Sequence, residues 1–125
     1  MNQKVSIIKT LVQGENKIMK NIAVIGSGLQ AKRRIPIIKE FKNTNLKIVT
    51  AEHIDKAEVL AKKFDCEAAA GWKDVVQRDD IDIVLVLTPP NSHAEISISA
   101  MNSGKHVLCE KPLCRTIDEA NQMLK

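Results

Sequence analysis

Two short, uninterrupted apolar runs stand out along the chain, Ile22 to Ile25 and Ile83 to Leu87, each rich in β-branched residues and each closed by turn residues. Both predict strands buried on two faces. Such strands belong to parallel sheets covered by helices, because only there do both faces leave water. Between them, Leu46, Ile48 and Val49 predict a second strand, while Ala57, Leu60, Ala61 and Phe64 recur at helical spacing. Val75 and Val76 mark a short helix after Trp72.

Beyond Leu87 comes a turn, Thr88-Pro89-Pro90-Asn91-Ser92, followed by a segment that fits two periods. Ile96 to Ala100 alternates as a strand would, yet Ala94, Ile98 and Met101 share a helical stripe. Gly104, placed as a helix stop, favours the helix. A strand from His106 to Cys109 follows, and Thr116-Ile117-Asp118-Glu119 has the form of a capping box opening a last helix to Lys125. Alternating strands and helices with short links predict an α/β fold, a doubly wound parallel sheet whose ligands sit at the carboxyl ends of the strands. Residues 1–18 fit less well. Val5 to Val12 is mixed, Gly14-Glu15-Asn16 breaks it, and Met19-Lys20-Asn21-Ile22 looks like a natural start. They are expected to be an N-terminal extension to a domain over 19–125.

Composition narrows the function. A chain of 125 residues has room for one domain of ordinary size, and 44% hydrophobic with 27% charged residues supports a packed core. The net charge of +4 suits an anionic ligand but is too mild for a nucleic-acid binder. Only Phe41, Phe64 and Trp72 could stack on bases, and the absence of tyrosine excludes chemistry that needs a phenol. Cys66, Cys109 and Cys114 have neither disulfide-framework nor metal-ligand spacing, so no metal is expected. No apolar run approaches the roughly 20 residues that span a bilayer, and no signal peptide is visible, so no membrane partner and a cytoplasmic address are expected.

Directly after the first strand stands Gly26-Ser27-Gly28-Leu29-Gln30-Ala31, the G-x-G-x-x-A form of the dinucleotide-binding (Rossmann) fingerprint. Gly26 permits the tight turn, Gly28 lets the backbone approach a pyrophosphate, and the Leu29 and Gln30 amides open the helix facing that anion. Ala31 is small enough for close helix-to-strand packing. The competing reading is an ordinary strand-to-helix turn with no ligand. Pro36 should kink or split the helix that follows. Glu52, about 20 residues on, is placed to hold the adenosine ribose hydroxyls, whereas Asp55 better suits the N-cap of the next helix. A carboxylate there argues for NAD. Lys32, Arg33 and Arg34 would argue for NADP, but read more simply as a solvated helix face.

Three motifs together resemble the N-terminal domain of the glucose-fructose oxidoreductase and inositol dehydrogenase (Gfo/Idh/MocA) family. They are the fingerprint, the Thr88-Pro89-Pro90-Asn91-Ser92-His93 turn, and Gly104-Lys105-His106-Val107-Leu108-Cys109-Glu110-Lys111-Pro112. The resemblance covers Asn21 to Lys125. It implies an NAD(P)-dependent enzyme moving hydride to or from carbinol carbons, mostly of sugars and cyclitols. Thr88, Pro89, Asn91 and His93 would then line the cofactor pocket, with Glu110 and Lys111 beside the nicotinamide and Lys111 as the catalytic residue. A lysine at the carboxyl end of a parallel strand can hydrogen-bond a substrate hydroxyl and help relay its proton. Without the resemblance, Lys111 reads as a surface lysine paired with Glu110, and His93 equally as a helix-start residue bonded to backbone. Cys109 and Cys114 read as small apolar fillers.

The family continues past this length. The resemblance therefore implies a sheet incomplete at its C-terminal end, an absent substrate domain, a truncated chain inactive alone, and a possible homo-oligomer. The second functional reading is a non-enzymatic NAD(P)-binding regulatory module, since a galactose-pathway repressor of that family shares the fold.

Overall fold

The computed structural model describes residues 19–125; the extension expected over 1–18 lies outside the described residues. The β-branched run around Ile22 forms β1 (Lys20–Ile25), and the other strands are β2 (Thr44–Ala51), β3 (Glu67–Ala70), β4 (Ile83–Val86) and β5 (His106–Cys109). All neighbours pair in parallel, in the order β3-β2-β1-β4-β5. The order reverses between β1 and β4, which is where a doubly wound sheet opens a crevice at its carboxyl edge.

Side-chain alternation along β1 feeds two cores. Ile22 and Val24 pack on one face with Ile35 and Ile38 of helix α1 (Leu29–Glu40) and Leu60 of α2 (Ile54–Phe64). Ala23 and Ile25 face the other way, against Val76, Ile81 and Ile96, the last on α3 (His93–Asn102). Burying each such Ile or Val contributes roughly 1.5–3 kcal/mol. The ambiguous Ile96 segment is therefore helix, with Ile96, Ser97 and Ala100 buried. A final helix, α4 (Ile117–Leu124), buries no residue fully. Leu108 stays 54% exposed on β5, one of the two edge strands among the described residues.

Three local expectations are corrected, and one strand forms that the sequence pattern did not predict. Helix α1 runs unbroken through Pro36. Proline removes the donor that would reach the Lys32 carbonyl, and both residues lie on the exposed side of the helix. Helix α2 begins earlier than expected, with His53 at its N-cap; Asp55 lies in the first turn, favourable to the helix dipole without capping. Strand β3 reads Glu-Ala-Ala-Ala, a helix-prone string that becomes extended because β2 offers it a ladder. The Thr116 cap forms, its Oγ1 accepting from the Glu119 amide at 3.1 Å, but the Glu119 carboxylate reaches the Arg115 amide at 2.8 Å rather than that of Thr116. No helix among the described residues is long and apolar enough to cross a membrane.

Candidate functional site

The strand register sets the site. Ile25 lies level with Thr50 on β2 and with Val86 on β4, and Val86 is level with Cys109 on β5. Backbone bonds continue this ladder one step further, from Gly26 N to Thr50 O (3.0 Å), Leu87 N to Ile25 O (2.8 Å) and Glu110 N to Val86 O (3.0 Å). The residues that follow each strand therefore line up along one edge: Glu52, the Gly26–Gly28 turn, Thr88, then Glu110 and Lys111. Three interstrand gaps separate β2 from β5, about 14 Å in all. The glycine fingerprint, Glu52, Thr88 and Glu110-Lys111 all lie on this row.

The two glycines serve different ends. At Gly26 φ is +118°, and a Cβ there would stand 2.7 Å from the Leu87 carbonyl oxygen, so the turn presses against the end of β4. At Gly28 a Cβ would meet nothing within 4 Å, and the residue is the exposed N-cap of α1. The space a side chain would fill is the space a ligand can enter. The opening amides of a helix have no intrahelical acceptor, so those of Leu29 and Gln30 are the donors for an anion placed there. Leu29 is itself 60% exposed, whereas Ala31 is fully buried, giving the close packing its size implied.

Glu110 shows what the sequence concealed. Its Oε2 accepts from Arg34 Nη2 at 2.7 Å and Nε at 3.1 Å, and its Oε1 accepts from the Lys111 amide at 3.1 Å. The Arg34 guanidinium holds this carboxyl below the usual carboxylate range, helped by the Lys111 amide. Arg34 is thus no solvated-face residue: from α1 it reaches across 76 positions to brace the turn after β5. The alternative pairing of Lys111 with Glu110 fails for the same reason. Lys111 is exposed, and its ammonium makes no hydrogen bond or ion pair among the described residues.

His93 is corrected too. Its side chain is 1% exposed, with Nε2 2.6 Å from the Thr88 carbonyl oxygen and Nδ1 2.6 Å from that of Pro112. Both ring nitrogens are committed to backbone, leaving none for a cofactor. Thr88 is half-buried, its hydroxyl 2.7 Å from Ser92 Oγ, while Pro89 is exposed just before, and Asn91 on, the short 3-10 turn Pro90–Ser92. Glu52 is exposed immediately beyond β2. Burial pushes the Cys109 thiol up, which suits a filler better than a nucleophile. The residues sequence reasoning missed are Arg34 and, as a backbone contributor, Leu87. Only the glycine's need for close approach hinted at the latter.

The chain matches the GFO_IDH_MocA family, described as an oxidoreductase family with an NAD-binding Rossmann fold, over residues 20–125. It is 38% identical over 104 residues to a dTDP-3,4-didehydro-2,6-dideoxy-alpha-D-glucose 3-reductase of Saccharopolyspora spinosa, covering 82% of this chain and 31% of that protein. Similarity to a levoglucosan dehydrogenase of Pseudarthrobacter phenanthrenivorans is 37% over 78 residues, or 62% of this chain and 20% of that one. Among solved structures, a 3-ketoreductase from Actinomadura kijaniata in complex with NADP and TDP-benzene superposes with a TM-score of 0.80 at 31% identity, covering 85% of this chain and 33% of that one. The chain spans about a third of the length of such relatives. On the motif row at the carboxyl edge and the match over residues 20–125, the chain belongs to the GFO_IDH_MocA oxidoreductase family and carries its NAD-binding Rossmann fold.

Proposed function

We propose that this chain is the cofactor-binding part of an oxidoreductase that transfers hydride between a nicotinamide dinucleotide and a carbinol or keto carbon of a sugar-type substrate. The observation that carries the reading is the order of groups along one edge: a carboxylate at Glu52, an open glycine turn at Gly28, and an exposed ammonium at Lys111 that makes no hydrogen bond among the described residues. A dinucleotide has the same order: ribose diol, pyrophosphate, reactive ring. Glu52 would accept from the ribose hydroxyls, the Gly28–Gln30 backbone would hold the pyrophosphate, and the Thr88–Asn91 turn would flank the nicotinamide half. When bound, the cofactor supplies the hydride acceptor or donor. Lys111 projects from a turn braced by Arg34 through Glu110, so its ammonium can donate to a substrate oxygen and steady the charge that develops as the proton moves.

We assign NAD as the preferred cofactor, since a carboxylate at Glu52 repels a 2′-phosphate. A second reading, NADP, is favoured by the Actinomadura kijaniata structure solved with NADP and by the exposed Lys32 and Arg33 at the start of α1. Calorimetric titration of the chain with NADH and NADPH, and of Gly28→Val with the preferred one, tests both levels. Binding that Gly28→Val abolishes supports the site. Equal binding by parent and variant refutes it.

A further inference from the structure

His93 is a buried titratable side chain that the proposed chemistry does not use, and its surroundings are unusual. It opens α3, directly after the turn that ends at Ser92, and lies between the two loops that follow β4 and β5. One ring nitrogen faces the Thr88 carbonyl and the other the Pro112 carbonyl, each at 2.6 Å. These carbonyls sit 24 residues apart in sequence, one in the loop flanking the cofactor crevice, the other next to Lys111. A carbonyl oxygen only accepts and a neutral imidazole carries a single N–H, so a neutral ring donates to one of the two carbonyls and merely abuts the other; both bonds form together only in the imidazolium form. A side chain that served only to fill the core would need neither bond, and an apolar residue of similar size would do.

We propose that His93 is a positioning residue: a clasp that fixes the distance between the Thr88 loop and the Lys111 loop. The inference rests on the functional reading above for its consequence, which is that cofactor and substrate-facing groups are held at one separation. The link is rigid because a planar ring fixes the directions of both nitrogens at once. On the other side of the turn, Glu110 is tied to Arg34. Lys111 therefore sits between two anchors, one on α1 and one on α3, neither of which engages its ammonium.

The two halves of the clasp are separable, because the amide nitrogen of asparagine falls near Nδ1 of histidine and that of glutamine near Nε2. His93→Asn keeps the bond to Pro112 and loses that to Thr88; His93→Gln does the reverse. Amide hydrogen exchange of the 125-residue chain, read by NMR without nucleotide, reports each loop. The Ser92 amide, which donates to Pro89, reports the first, and the Lys111 amide, which donates to Glu110, reports the second. Losing one net hydrogen bond of about 1 kcal/mol opens a segment about fivefold more often. His93→Asn should speed Ser92 exchange about fivefold and leave Lys111 unchanged, His93→Gln should do the opposite, and Val24 in β1 should not respond to either. Exchange that rises in both loops with either variant, in the whole chain, or in neither loop overturns the clasp. NADH titration of the same samples fails by itself if only the functional reading is wrong.

Discussion

Gly26→Ala separates what the glycine turn does for folding from what it does for a ligand. The new Cβ would stand 2.7 Å from the Leu87 carbonyl oxygen and 2.9 Å from its carbon, both backbone atoms in the last step of the β1–β4 ladder and unable to turn aside. Holding a non-glycine residue at φ +118° adds backbone strain. Strain costs about 1–3 kcal/mol and the forced contact about 1–3 kcal/mol, together roughly 2–6 kcal/mol. Against the roughly 5–15 kcal/mol that stabilises a domain, that is a large fraction. At about 4–8 °C per kcal/mol for a domain of this size, the midpoint of thermal unfolding should fall by roughly 10 °C or more. Gly28→Val is the matched control. Gly28 has ordinary extended dihedrals (φ −84°, ψ −160°) and empty space beside it, so only its N-cap preference is lost, about 1 kcal/mol. Urea unfolding followed by far-UV circular dichroism and by the fluorescence of Trp72 measures both. A Gly26→Ala protein within 1 kcal/mol of the parent would refute the reasoning, as would a Gly28→Val protein as unstable as Gly26→Ala.

Because the Arg34 guanidinium holds the Glu110 carboxyl below its ordinary value of 4.5, their pairing stabilises the fold fully above that value and is lost as pH falls through the lowered one. Arg34→Met should therefore lose about 1 kcal/mol at pH 7, allowing for the 44% exposure of Arg34, with the difference from the parent closing in acid; a difference that stays constant from pH 7 to pH 3 contradicts this. Glu52→Ala should shift the NADH-to-NADPH affinity ratio toward NADPH by on the order of 1–3 kcal/mol, and an unchanged ratio in calorimetry would show that Glu52 does not face the ribose. Thr116→Ala should cost about 1 kcal/mol, read as faster amide exchange confined to α4, because that helix is exposed and capped at its start by the Thr116 hydroxyl. Lys111→Met should leave the stability within about 0.5 kcal/mol of the parent, as expected of an exposed side chain that makes no hydrogen bond among the described residues.

What was legible in the sequence was what depends on neighbours in the chain. The runs at Ile22 and Ile83, the glycine turn, the Thr116 cap and the extent of β5 all carry local signals, and each formed. What was not legible depends on partners far along the chain. Glu67–Ala70 has no strand signal, only a strand beside it to pair with. Arg34 looked like one of three solvated cations because nothing near it in sequence reveals a carboxylate 76 residues away. His93 was placed by the family resemblance toward the cofactor and by its position as a helix-start residue bonded to backbone; the structure matches the second reading, and which two carbonyls it meets becomes visible only when β4 and β5 lie side by side. Pro36 misled in the other direction. The helix carries the lost donor on its exposed side, where Lys32 and Pro36 both lie.

The central claim is that the dinucleotide lies along the carboxyl edge of the sheet, across the point where strand order reverses. Mapping backbone amide shifts of the 125-residue chain during NADH titration tests it most directly, because a separate open groove between α3 and α4 of about 540 Å³, lined by Glu95, Ser99 and Gln122, is built from different residues. The account predicts the largest changes at Gly26, Gly28, Leu29 and Gln30, with further changes at Glu52, Thr88 and Glu110. Changes centred on Ser99 and Gln122, or none at saturating NADH, would contradict it.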